Sequence, residues 1–488
     1  WLNEACLLLQ EGIASAAAID AVAMKAFRIG MGPFALMNLT GPPIALHSTD
    51  YLAEQLETPR YVGAENLREM VAAGDQWEIG DDVDCNEEAA ETIRVRLLGQ
   101  VFAVAGQIVD EEICSLEDVD RGAKVGLRWA RGPFELANRL GIDEAKSMAE
   151  DYCELANFPV PEIWKRNDSF DFSYVDLAVE NGIATVTINR PEAMNALNET
   201  VVNQLGLALD KANADDSVRT IVLDGAGKAF VAGADVKFFV DKIRADSFPD
   251  IYDFTANGHV VQNKLESSSK TTIALTTGLA LGGGLELALS CDYRIGTRKT
   301  QFRFPETSIG IFPGLGGTQR PARISGIPAA RWAVLAGNFM DAKTAADLGL
   351  VTNLVDIAEV DSTISSLDSS GKPENKYPGK PANPDSKVAK FASSFYSDEN
   401  IATVLAGNCP EGFDLEDKGV SRQMKSLSRT APIALSLAND LINAAGNTDL
   451  SEGLGQELGN LETIFSTDDA LEGLSALIEG RKPTYQNS

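Results

Sequence analysis

Residues 279–292 read LALGGGLELALSCD. Three consecutive glycines, Gly282, Gly283 and Gly284, open an apolar run to Leu289 that carries a single acid, Glu286. Glycines raise the entropic cost of ordering a chain, and a carboxyl group among leucines is costly to bury. The stretch therefore reads as a close-packed turn into a helix or as a reaction site. A solvent-facing helical Glu does not fit, because Leu285, Leu287, Ala288 and Leu289 flank Glu286 on every helical side.

The rest of the chain narrows the choice. At 488 residues it exceeds one domain, and its 44 % apolar content is that of a globular chain. No run approaches the roughly eighteen apolar residues of a membrane span. A net charge of −29 excludes nucleic acid and anionic membrane as partners. The acid is spread along the chain, with a local excess in GDDVDCNEEAAE at 80–91. It reads as a solvated surface or as an adaptation to a high-salt cytoplasm. The six cysteines (Cys6, Cys85, Cys114, Cys153, Cys291 and Cys409) and the two histidines, His47 and His259, are scattered. That spacing offers neither a disulfide framework nor a metal site, and a reducing cytoplasm is expected. The opening WLNEACLLLQEG reads as the middle of a helix and lacks an initiator Met. A fragment of something longer is expected.

Two textures follow each other. IASAAAID at 13–20 matches ICSLEDVD at 113–120, and GPFALMNLTG at 32–41 matches GPFELANRLG at 132–141, both offset by 100 residues. Two tandem helical domains are expected, at 1–72 and 93–165, joined by an acidic linker at 73–92. From about residue 172 the pattern changes. VDLAVENGIATVTINR at 175–190 alternates as a hairpin around Glu180-Asn181-Gly182. RTIVLDG (219–225) and TTIALTTG (271–278) read as buried strands with helices between them, which predicts an α/β core over 172–358. Residues 359–424, rich in Ser, Pro, Gly and Lys at their start, are expected as a flexible insertion before C-terminal helices at 425–488.

Three segments of the α/β region set small residues beside an acid. KAFVAGADVK carries Ala232, Gly233, Ala234 and Asp235; LALGGGLEL carries Glu286; FRFPETSIGIFPGLGGTQR carries Glu306, Gly314 and Gly317. No segment fits a phosphate loop or a dinucleotide fingerprint.

Together with INRPEAMNALN at 188–198, these segments resemble the crotonase (enoyl-CoA hydratase) family over about 175–355, and the C-terminal helices fit it too. The resemblance implies a spiral α/β fold and an acyl-CoA thioester substrate. It places the thioester oxygen between the N–H groups of Ala234 and Gly283, and makes Glu286 and Glu306 the acid–base pair. Ala232, Gly233, Asp235, Gly282, Gly314 and Gly317 would shape the substrate path, with Asp235 organising its loop. Arg481 and Lys482 would meet the CoA phosphates; the alternative for both is solvated charge. The expected reaction is reversible hydration of a trans-2-enoyl-CoA, with no cofactor and no metal. The paired glutamates disfavour a double-bond isomerase, and together with the donor loops they disfavour a subunit that only binds.

The tandem repeat resembles the C-terminal helical domain of 3-hydroxyacyl-CoA dehydrogenases, through LNEACLLLQEGIASAAAID and the two GPF segments. The implied whole is a multidomain chain, with tandem all-α domains followed by an α/β crotonase domain. A bifunctional hydratase–dehydrogenase is the alternative reading; its NAD-binding domain and catalytic His would lie upstream of Trp1. His47 has the wrong context for that role. The resemblance also implies a homo-oligomer.

Overall fold

The structure is a computed structural model. It describes all residues except 58–60, 82 and 167, so short parts of the first helical segment and of the acidic stretch lie outside the described residues. The chain divides into two compact units, Trp1–Ser173 and Tyr174–Ser488.

In the first unit, helices Leu2–Gln10, Ala16–Phe27, Pro33–Thr40, Pro42–Gln55 and Glu65–Ala73 precede Glu87–Asp110, Leu116–Gly126, Pro133–Leu140 and Ile142–Leu155. The repeat shows in the bonding. Ser15 and Ser115 cap equivalent helices by accepting from Ala18 and Asp118 N–H. Asp20 accepts from Phe34 and Ala35 N–H at 2.8 and 2.9 Å, and Asp120 from Phe134 and Glu135 at the same distances. A buried carboxylate thus satisfies the open donors of each Gly-Pro-Phe helix start. A Cβ on Gly32 or Gly132 would sit 2.3 or 2.2 Å from that carboxyl carbon, so only glycine fits the approach. Asn38 brackets the backbone of Trp77 through both amide atoms, and Asn138 does the same to Phe170.

The two copies are not separate domains. Leu8, Phe27 and Phe34 of the first share one core with Leu97, Phe102, Phe134 and Trp164 of the second. Arg96 also ties the second copy to Glu4 of the first at 2.5 Å. Neither half can cover its own apolar faces, so they close on each other. The expected linker is correspondingly anchored: Trp77 is buried, and a helix begins at Glu87. That helix, Glu87–Asp110, is long and apolar enough to cross a membrane by length and composition, a feature that the sequence reading missed. Its apolar face is taken up by the core of this unit, through Leu97, Leu98, Phe102 and Ala105.

The second unit carries ten strands among the described residues: β1 (Val175–Glu180), β2 (Ile183–Ile188), β3 (Thr220–Gly225), β4 (Ala229–Ala232), β5 (Thr271–Thr276), β6 (Leu279–Leu281), β7 (Tyr293–Gly296), β8 (Gln301–Arg303), β9 (Met340–Asp341) and β10 (Asn353–Leu354). β1 and β2 pair antiparallel across Asn181 and Gly182, whose φ values of 52° and 81° suit a tight hairpin turn. The large sheet runs β1-β2-β3-β5-β7-β10 and the small one β4-β6-β8-β9. Each of β3, β5 and β7 is followed at once by its neighbour in the small sheet, so the chain winds as a spiral that adds one strand to each sheet per turn. The unbroken apolar runs of β3 and β5 are those of parallel strands covered on both faces.

The expected flexible insertion is instead built into this unit. Helices Val360–Ser370, Lys387–Phe395, Ile401–Leu405 and Lys418–Leu427 occupy much of 359–424. Val360 and Leu367 pack on Val222, Ile273 and Ile295 of the large sheet. Asp368 accepts from the Thr220 hydroxyl at 2.7 Å, and Glu266 accepts from Lys376 and Tyr377 at 2.7 and 2.6 Å. Phe395 and Tyr396 are fully buried. These anchors lie far apart among small polar residues, which is why composition alone suggests a loose segment.

Candidate active site

β4 and β6 run side by side with Ala232 opposite Leu281, and the chain leaves both at the same end of the small sheet. Beyond β4, Leu197 N–H donates to Gly233 O at 2.9 Å and Asp235 N–H to Leu197 O at 2.8 Å. Ala234 N–H, between these bonds, has no acceptor among the described residues, and neither has Gly283 N–H at the start of helix Gly283–Leu289. A Cβ built on Gly283 would lie 3.9 Å from Ala234 N, so the two unclaimed donors are neighbours. The flanking glycines are required by close approach. Gly282 has φ +48°, and a Cβ there would lie 2.2 Å from Glu306 Oε1; a Cβ on Gly284 would lie 2.0 Å from Val231 O.

Two buried acids stand beside this turn. Glu286, in the first turn of its helix, is 2 % exposed, and Glu306, which follows β8 through Phe304 and Pro305, is 7 % exposed. Glu286 Oε1 accepts from Leu315 N–H and Gly317 N–H, both at 2.7 Å. Glu306 Oε2 is buried with no hydrogen-bond partner among the described residues. Burial pushes Glu286 up to about 7, opposed by the two amides and by the Arg320 charge. Burial pushes Glu306 well above the carboxylate range, and the charge of Glu286 pushes it further. The two environments differ: Glu286 carries two hydrogen bonds that favour its anion, whereas burial and the neighbouring charge both favour the protonated form of Glu306.

The remaining expected residues fall into two groups. Asp235 caps helix Val236–Arg244 by accepting from Lys237 N–H at 3.2 Å, in keeping with a loop-organising role. Ala232 N–H donates to Met194 O, and Gly314 O meets His259 Nε2 at 2.7 Å. Arg481 is engaged by Glu472 at 2.6 Å and by Glu479 at 2.5 Å, and Lys482 is exposed. A cavity of about 500 Å³ opens at the other end of the small-sheet strands, lined by Lys228, Gly278, Arg298 and Lys299 and by none of the expected site residues. Sequence reasoning missed Glu457, His259 and Arg320 around Gly314–Thr318. The signal for Glu457 was present: it stands in the apolar stripe Leu450, Gly453, Leu454, Leu461, where an acid belongs only with a partner.

Comparison with known proteins agrees with this architecture. Residues 183–488 match the enoyl-CoA hydratase/isomerase family, and residues 1–78 and 93–167 match the C-terminal domain of 3-hydroxyacyl-CoA dehydrogenase. A probable enoyl-CoA hydratase of Mycobacterium bovis is 30 % identical over 315 residues, covering 64 % of this chain and 98 % of the relative. A short-chain-enoyl-CoA hydratase of Clostridium acetobutylicum is 30 % identical over 313 residues, covering 64 % and 97 %. In three dimensions, an enoyl-CoA hydratase from Rhodobacter sphaeroides superposes with a TM-score of 0.55 at 24 % identity, covering 64 % of this chain and 92 % of the other, a likeness of fold. With more than half of its length matched by one family, and with curated relatives aligned over nearly their full length, the chain belongs to the enoyl-CoA hydratase/isomerase family.

Proposed function

We propose that the chain adds water reversibly to a trans-2-enoyl-CoA, giving the 3-hydroxyacyl-CoA. The thioester oxygen sits between Ala234 and Gly283 N–H. Glu286 takes a proton from water as its oxygen bonds to C3, and the double-bond electrons move onto the thioester as an enolate. Glu306 then gives its proton to C2. The observation that carries this reading is the pair of buried carboxyl groups beside two adjacent, unclaimed N–H donors. Each donor aimed at the enolate oxygen is worth about 3 kcal/mol of barrier, because it strengthens as charge develops. Only water and protons move and no atom is oxidised or reduced overall, so the step calls for no redox cofactor. The names of the aligned relatives support the same reaction class.

A second reading is favoured by the match of the first unit to a dehydrogenase domain: the chain acts within an enzyme that also oxidises the 3-hydroxy product with NAD. That step needs a dinucleotide-binding loop, and no segment of this sequence fits one.

Turnover of crotonyl-CoA in ¹⁸O-labelled water tests the reaction class. Hydration yields 3-hydroxybutyryl-CoA carrying the label at C3. Label-free product with the double bond moved to C3–C4 would instead identify an isomerase.

A further inference from the structure

Segment Gly314–Thr318 is suspended between two buried acids. Leu315 and Gly317 N–H go to Glu286 at 2.7 Å each, while Gly316 N–H goes to Glu457 Oε2 at 2.6 Å and Thr318 N–H to Glu457 Oε1 at 3.1 Å. The Thr318 hydroxyl also donates to Glu457 Oε1. Four successive amides thus alternate between the two carboxyl groups. Glu457, on helix Leu450–Gly459, is completely buried and comes from a part of the chain about 140 residues from the segment that it holds. The carbonyls are held as well: Gly314 O by His259 and Leu315 O by Arg320 Nη1 at 3.1 Å. A loop this fully claimed has one setting for its amides, and that setting decides where Glu286 can point.

We propose that Glu457 is a positioning residue for the hydration centre: it fixes Gly316 and Thr318 so that Leu315 and Gly317 N–H stay aimed at Glu286 Oε1, leaving Glu286 Oε2 to face the attacking water. The inference rests on the hydratase reading and deepens it. It also accounts for a carboxylate at this place. Gly316 and Thr318 each need an acceptor, and the two oxygens of Glu457 supply them. A glutamine would set its NH₂ against one of these donors, leaving a buried N–H unmet. Aspartate, one methylene shorter, could not reach both.

The test compares Glu457→Gln and Thr318→Ala with the parent on crotonyl-CoA, alone and in a Glu286→Gln background. Thr318→Ala takes away the hydroxyl together with the γ-methyl, leaves the Thr318 amide in place, and keeps the proposal testable if Glu457→Gln does not fold. We expect Glu457→Gln to lower kcat by roughly 10- to 100-fold, as a small misplacement of a catalytic group does, while KM stays within about threefold. Thr318→Ala lowers kcat less. In the Glu286→Gln background neither change costs anything further, because Glu457 acts only through Glu286; a general structural weakening would add instead. Amide hydrogen exchange supplies a readout independent of substrate: Leu315 and Gly317, slow in the parent, exchange faster in Glu457→Gln. Unchanged kcat and exchange, or a loss that persists in full without Glu286, would overturn the proposal. If the parent itself does not hydrate crotonyl-CoA, the hydratase reading fails, and the exchange result still decides whether Glu457 holds these amides.

Discussion

Glu286 and Glu306 are both buried, and near enough for the charge of one to act on the other, in an environment that disfavours two negative charges. Burial is the main cause for both, and the charge of Glu286 adds to it at Glu306. The proposed mechanism needs Glu286 ionised and Glu306 protonated. We predict that kcat/KM rises with pH through the value of about 7 of Glu286 and falls again as Glu306 loses its proton, a bell read from initial rates across pH. The stability consequence has the opposite slope. A carboxyl whose folded value is raised favours the folded state fully below its unfolded value, and loses that contribution as pH rises through the folded one. Glu306→Gln should therefore melt at nearly the parent's Tm near pH 4 and a few degrees above it near pH 8. A Tm gap independent of pH would contradict the assignment of Glu306 as a raised, buried acid. At this scale the sequence was informative, since an acid ringed by leucines announces itself. Glu457 shows in its apolar stripe as an acid in need of a partner, but the partners themselves, two backbone amides and the Thr318 hydroxyl about 140 residues away, leave no mark in composition.

At the scale of elements, the glycines of Gly282–Gly284 let one helix start approach four other segments, at Val231–Ala234, Glu306, Leu315 and Leu197. Gly284→Ala would set a Cβ 2.0 Å from Val231 O, and backbone of a parallel sheet cannot yield as a side chain can. We predict a loss of about 1–3 kcal/mol in denaturant unfolding. A change below about 0.5 kcal/mol, the range of an ordinary surface substitution, would show that β4 and the helix start are not so tightly joined. The hairpin β1–β2 and the runs of β3 and β5 were legible because strand alternation and continuous apolarity report directly on one or two covered faces. The helices of 359–424 were not. Their hold depends on single anchors such as Leu367, Asp368, Tyr377 and Tyr396, each separated by stretches that read as linker.

The whole molecule divides at Ser173–Tyr174, and the residues of the proposed chemistry all lie on one side. Residues 174–488 alone should fold and hydrate crotonyl-CoA with kcat within a few-fold of the full chain, because catalysis depends on the local geometry of the site. An inert but folded piece would contradict this. Within the first unit, Asp120→Ala removes the acceptor of two helix-start amides and should cost about 1–3 kcal/mol in the unfolding of that unit. Hydration rates should be unaffected. Periodicity revealed that unit's repeat but not its single core, because a helical stripe shows that a face is covered and not which helix covers it.

The central claim is that Glu286 and Glu306 act together on water and the enoyl double bond. Loss of the conjugated enoyl-thioester absorbance of crotonyl-CoA tests it most directly, with the parent beside Glu286→Gln and Glu306→Gln. The account predicts rapid loss with the parent and a fall of about 100-fold or more in each variant, each with an unchanged fold. A folded parent that leaves the absorbance untouched, or a variant that keeps the parent's rate, would contradict it.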